Sequence, residues 1–195
     1  MADIELPNVE ELHELKEQHF SRGVALVTAF FAVLLAITSL GGSNAGKDMM
    51  LAQQKSSDQW AFYQAKAIRE HLYKSQKAIL DAQVIDRGDS MKPAARTHYT
   101  ELSQKLKNES DRYSTEKKEI EKEAKALENE RDLNQRKDPY FDYAEALLQI
   151  SIVLSSISIL AASRPVFYFS LAMATGGAFL SFNGFFLLFS LPFLG

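Results

Sequence analysis

Residues 24–40 read VALVTAFFAVLLAITSL, with no charge, and residues 144–162 and 166–195 repeat the pattern with Glu145 as the single exception at an edge. A helix rises 1.5 Å per residue and the hydrocarbon core of a bilayer is roughly 30 Å thick, so an uncharged stretch near 20 residues crosses it. The sequence therefore predicts three membrane-spanning helices, at residues 23–42, 143–163 and 166–191. Ser43 to Asp142 is the opposite in character, crowded with Lys, Arg, Asp and Glu. The whole-chain averages, 195 residues with net charge −3, describe neither part. The fold class expected is all-α: an integral membrane protein with a long antiparallel coiled-coil-like helical hairpin between its first and second spans.

The first apolar stretch also admits a signal-peptide reading, with Ser43-Asn44-Ala45 as a small-residue cleavage site. Its leading segment is acidic (Asp3, Glu5, Glu10, Glu11, Glu14, Glu17) where a signal peptide is basic, so it reads as an anchor. Residues 1–22 place Val9, Leu12 and Leu15 at helical spacing opposite the acids, which suggests an amphipathic lead-in; a frayed acidic tail fits equally.

Within residues 43–142, Gly41-Gly42-Ser43 and Gly46 punctuate the membrane boundary, and a first helical arm follows at about 47–85. Ala61, Ala65, Ile68, Leu72, Ser75, Ile79 and Ala82 recur at alternating steps of four and three, a heptad seam whose small members allow close approach. Asp86 to Ser90 and Lys92-Pro93 form the turn. The second arm, about 94–137, carries Tyr99, Leu106, Tyr113, Ile120 and Leu127 at intervals of seven. The accompanying positions, Leu102, Glu109, Glu116, Glu123 and Glu130, are mostly acidic. A seam so thin cannot hold a solitary helix in water, so the arm must lie against a partner, the first arm being nearest. Asp138-Pro139 is expected to stop this arm before the membrane, and Arg164-Pro165 to turn the chain between the last two spans.

Residues 43–142 hold 19 basic and 18 acidic residues, so the segment lacks the basic field that nucleic acid requires. The absence of cysteine removes disulfide and thiolate chemistry. His13, His19, His71 and His98 are too scattered for a metal site, and no phosphate loop, nucleophile elbow or carboxylate pair stands out. No catalytic, cofactor or metal residue is assigned, and none of these groups is expected. Arg87-Gly88-Asp89-Ser90 reproduces an adhesion tripeptide, but turns are built of these residues in any case.

The candidate residues are interface residues. Ala25, Ala29, Ala32, Ala36 and Ser39 form a small-residue stripe on the first span, Ser151, Ser155, Ser158 and Ala162 on the second, and Ser170, Ala174, Ala178 and Ser181 on the third, with Asn183 its most polar member. Small residues at such steps let helices pack closely in lipid. A transport path would be expected to place an ionisable group inside the bundle, and the span interiors have none. Outside the membrane, Ser57 to Lys66 reads SDQWAFYQAK, with Asp58, Gln59, Trp60, Phe62 and Tyr63 as candidates. Its aromatic rings cannot be hidden by their own helix and must pack on the second arm, another subunit or headgroups.

With these residues the chain resembles a bacterial membrane-protein family known only by a domain-of-unknown-function number. In that family a first span ends in a Gly-rich boundary and leads to a segment like Ser57 to Lys66. The likeness continues through the Glu-Lys-rich arm from Tyr113 to Asn129, a span beginning near Leu147-Leu148-Gln149-Ile150, a short basic turn and a third span. It implies architecture and no activity. Members often carry several arginines in that turn, which implies its cytoplasmic side; here Arg164 stands alone.

The expectation is a non-enzymatic scaffold in a bacterial inner membrane that self-associates through its spans and hairpin base. Its partners would be lipid and further copies of itself. The short turn at Arg164 favours a cytoplasmic N-terminus and a hairpin on the other side. One alternative is an accessory subunit docking a larger membrane complex through the hairpin; a more remote one is a small-solute channel past Asn183.

Overall fold

A computed structural model describes residues 9–87 and 90–190, with side chains from Glu14 onwards. The described residues form three helices and no strand: α1 (Val9–Arg87), α2 (Pro93–Leu160) and α3 (Arg164–Phe186). Each contains a stretch long and apolar enough to cross a membrane. The chain divides into two compact units, Met1–Asp48 with Leu133–Gly195, and Met49–Asp132.

Two expected helix ends are absent. α1 runs without a break through Gly41, Gly42 and Gly46, and α2 through Pro139. Proline forfeits one backbone hydrogen bond inside a helix, at a cost of roughly 3 kcal/mol. Burial of Tyr140, Phe141, Ala144 and Leu148 immediately beyond it offsets that loss. Gly41 and Gly42 serve packing, whereas a Cβ on Gly46 would meet nothing within 4 Å. A Cβ on Gly41 would meet Phe185 at 2.7 Å and Phe141 at 2.8 Å, and one on Gly184 would meet Phe141 at 3.0 Å. Phe141 therefore lies in a cradle that only glycine leaves open.

In the first unit, Phe31, Leu148 and Ala174 bring the three helices together, with Val27, Leu34, Leu35 and Ile152 around them. Gly177 lets α3 approach α2 so closely that a Cβ there would lie 3.1 Å from the Ala144 carbonyl. At the α2–α3 turn, Ala162 takes a left-handed conformation (φ 45°) and the Ser163 N–H donates to the Ser158 carbonyl at 3.0 Å. This bond closes the helix end as a Schellman motif does. Pro165 then starts α3, where its missing N–H is not needed.

In the second unit, partner numbers fall along α2 as they rise along α1: Gln53 pairs with Arg131, Trp60 with Glu128, Tyr73 with Tyr113 and Asp81 with Ser103. The two segments are thus antiparallel. α1 faces α2 through Ala52, Ser56, Gln59, Tyr63, Lys66, Glu70, Tyr73, Lys77, Leu80 and Val84, all buried or half-buried at alternating steps of four and three. This corrects the seam expected from Ala61 to Ala82, every member of which is exposed. Two heptad faces coexist on this helix, and α2 answers the polar one because it supplies ionic and aromatic complements to it. On α2 itself Tyr99, Leu106, Tyr113, Ile120 and Leu127 do turn inward. Their buried or half-buried companions are Ser103, Ser110, Lys117, Ala124 and Arg131, four residues on, while of the residues three on Glu116 and Glu123 bond α1 from the edge of this face.

Candidate functional site

The residues between Ser57 and Lys66 divide between two roles. Gln59 donates its side-chain N–H to Glu123 (3.0 Å), and the Trp60 indole N–H donates to Glu128 (2.9 Å). Trp60 meets Tyr63 edge to face at 5.3 Å, and the Lys117 ammonium lies over the Tyr63 ring at 5.4 Å. Three members of the collar are therefore fastened to α2. Asp58 and Phe62 are exposed, Phe62 to 58 %.

One turn further on lies a cluster the sequence reading passed over. Glu70 is 3 % exposed and accepts from Lys117 (2.7 Å) and Lys74 (2.5 Å). These bonds, Lys117 first, hold its carboxyl at about 2, well below the ordinary 4.5. The same contact raises the Lys117 ammonium above its usual value. Lys66 bonds Glu116 and lowers its carboxyl in turn. Tyr113 stacks on Tyr73 at 5.6 Å, and hydrogen bonds from Arg69 and Arg112 hold its phenol below the usual value. The Glu70 carboxylate is thus held by a lysine of its own helix and one of α2, the arrangement that satisfies a buried charge. The available signal was a glutamate at a position spaced seven from Tyr63 and Lys77, but charge at a heptad position reads as solvated until a partner is known.

In the first unit the polar candidates turn inward. Ser151 donates to the Leu147 carbonyl (2.7 Å) and Ser158 to the Ser155 carbonyl (3.0 Å). The Ser155 and Ser170 hydroxyls bond each other at 2.7 Å, joining α2 to α3. Thr38 and Ser181 do the same between α1 and α3 at 2.7 Å. Asn183 is occupied by the chain that follows α3: its amide nitrogen donates to the Phe189 carbonyl (2.8 Å) and its oxygen accepts the Phe189 N–H (3.0 Å). Tyr140 donates to the same carbonyl at 3.1 Å. This clamp follows the left-handed turn at Leu187 (φ 49°).

The first-span stripe behaves differently. Ala25, Ala29, Ala32, Ala36 and Ser39 are all exposed, and α1 meets the other two helices through Val24, Phe31, Thr38 and Ala45. The face next to it, with Thr38 and Gly41, carries the packing within the chain. Of the adhesion tripeptide, Gly88 and Asp89 lie outside the described residues.

No curated protein and no solved structure matches the chain. A family model described as a domain of unknown function, DUF4337, matches residues 20–187, which takes in all three helices' apolar stretches and the antiparallel pair, and the chain belongs to that family.

Proposed function

We propose that this chain is a non-enzymatic scaffold of a bacterial inner membrane. In this reading it crosses the bilayer three times, holds a coiled-coil hairpin on the non-cytoplasmic side, and self-associates through its spans and hairpin base. One observation carries it: the small-residue face of the first span is bare while the other two spans use theirs inside the bundle. In lipid, helices associate by close van der Waals packing of small residues, so Ala29, Ala32 and Ala36 suit a helix of a neighbouring copy. The engagement of Asn183 and the serines within the bundle supports packing over a solute path. Phe62 and Asp58, exposed on the Ser57 to Lys66 segment, extend the proposed contact to the hairpin base.

Native mass spectrometry of the full chain in lipid nanodiscs tests this. Oligomers should persist on dilution, and the triple variant Ala29→Leu, Ala32→Leu, Ala36→Leu should shift the population toward monomer. Strictly monomeric protein at every concentration would sink the reading.

A further inference from the structure

On the hairpin side of the apolar stretches the three helices leave a cleft of about 170 Å³ between them, all of it within the first unit. α1 lends it Gly41, Asn44 and Asp48, α2 lends Lys137 and Phe141, and α3 lends Phe185. Its floor is apolar. Gly41, Phe141 and Phe185 share one level of the bundle, since a Cβ on Gly41 would touch both rings, and the rings meet edge to face at 4.9 Å.

Its rim is charged. Lys137 stands one turn of α2 beyond Phe141 and Asp48 two turns of α1 beyond Gly41, roughly 6 and 10 Å at 1.5 Å per residue, both away from the uncharged stretches. Lys137 is half-buried and Asp48 exposed. Among the described residues they pair neither with each other nor with a third group. Asp138 and Asp142, the neighbouring acids of α2, are not part of the lining. The cleft therefore offers one cation, one anion and, in Asn44, an amide that both donates and accepts.

These features narrow the ligand. The floor adjoins the level at which the uncharged stretches meet hydrocarbon, so it suits a molecule anchored there by acyl chains. A phosphate suits Lys137 and an ammonium suits Asp48, as charge-assisted hydrogen bonds. A primary ammonium can donate such a bond to the carboxylate, whereas a quaternary one has no N–H to give. An anionic lipid without an amine would leave Asp48 facing a phosphate.

We propose that this cleft binds the headgroup of a phosphatidylethanolamine lipid from the hairpin-side leaflet, with its phosphate on Lys137 and Asn44 and its ammonium on Asp48. The site is independent of self-association and rests only on the three helices crossing a bilayer.

Native mass spectrometry of the full-length protein, delipidated and then offered equal amounts of phosphatidylethanolamine, phosphatidylcholine and phosphatidylglycerol, tests the site. Bound phosphatidylethanolamine should exceed each of the others by at least about threefold, the scale of one exposed ion pair. Asp48→Asn should remove the preference over phosphatidylglycerol, and Lys137→Gln should lower retention of phosphatidylethanolamine. Lys47→Gln, exposed on α1 and outside the lining, should do neither. Circular dichroism checks that each variant keeps its helices. Equal retention of the three lipids, or a preference that survives Asp48→Asn, would overturn the site. Soluble phosphoethanolamine binding as tightly as the lipid would overturn the lipid as its source. Release of the protein from membranes by alkaline carbonate would overturn the premise of a bilayer-crossing chain and the site with it. Monomers that keep the lipid preference would support the site and overturn the scaffold reading alone.

Discussion

Glu70 shows how much a single buried side chain decides here. Its carboxyl, held at about 2 by Lys117 and Lys74, binds a proton less readily folded than unfolded. A carboxyl depressed in this way contributes stability that is fully present above its ordinary value of 4.5 and is lost as pH falls through about 2. Asp81, held low by Lys77 and then Ser103, acts in the same direction. Chemical denaturation of the full chain, followed at its single tryptophan, Trp60, which sits in the second unit, should therefore show falling stability between about pH 4.5 and 2. Glu70→Gln should flatten that dependence and cost roughly 1–2 kcal/mol at neutral pH, because Lys117 loses its ionic partner. Ala162 offers the reverse case. A left-handed non-glycine residue carries a Cβ clash of about 1 kcal/mol, so Ala162→Gly should raise the thermal midpoint of the detergent-solubilised protein slightly.

At the scale of elements, α1 and α2 each pass through residues that usually end helices. Gly41, Gly42 and Gly184 surround Phe141, and the ring cannot retreat from one without meeting another. Gly41→Ala should accordingly destabilise the first unit by roughly 1–3 kcal/mol, the usual cost of overpacking, with loss of the Phe141–Phe185 edge-to-face contact. Asn183→Leu should release the segment after Leu187 by removing two hydrogen bonds, each worth about 1 kcal/mol. Faster amide exchange at Phe189 with the helices otherwise unchanged is the expected result.

At the scale of the whole molecule, the scaffold reading places the turn between α1 and α2 outside the cytoplasm. A cysteine introduced as Ser90→Cys, at an exposed turn position, should then react with a membrane-impermeant maleimide in intact cells whose outer envelope has been permeabilised. Labelling only after lysis would place the turn on the cytoplasmic side.

The alternation of uncharged and charged stretches determined by itself that the chain is helical and that three helices can cross a membrane, because composition alone sets what a bilayer tolerates. The interval of seven from Tyr99 to Leu127 likewise found one line of the inward face of α2, while its companion line, four residues on, took tertiary contact to identify. The inward face of α1 was not legible in the same way, since that helix carries two seams of identical spacing and periodicity cannot say which one a partner meets. Only tertiary contact decided it: Glu116, Lys117 and Tyr113 on α2 complement Lys66, Glu70 and Tyr73, and the apolar seam that looked like the core was left outside. The glycines at 41 and 42 and the proline at 139 failed as boundary markers for a related reason. Their local cost to a helix is a few kcal/mol at most, and burial of Phe141 and its neighbours outweighs it.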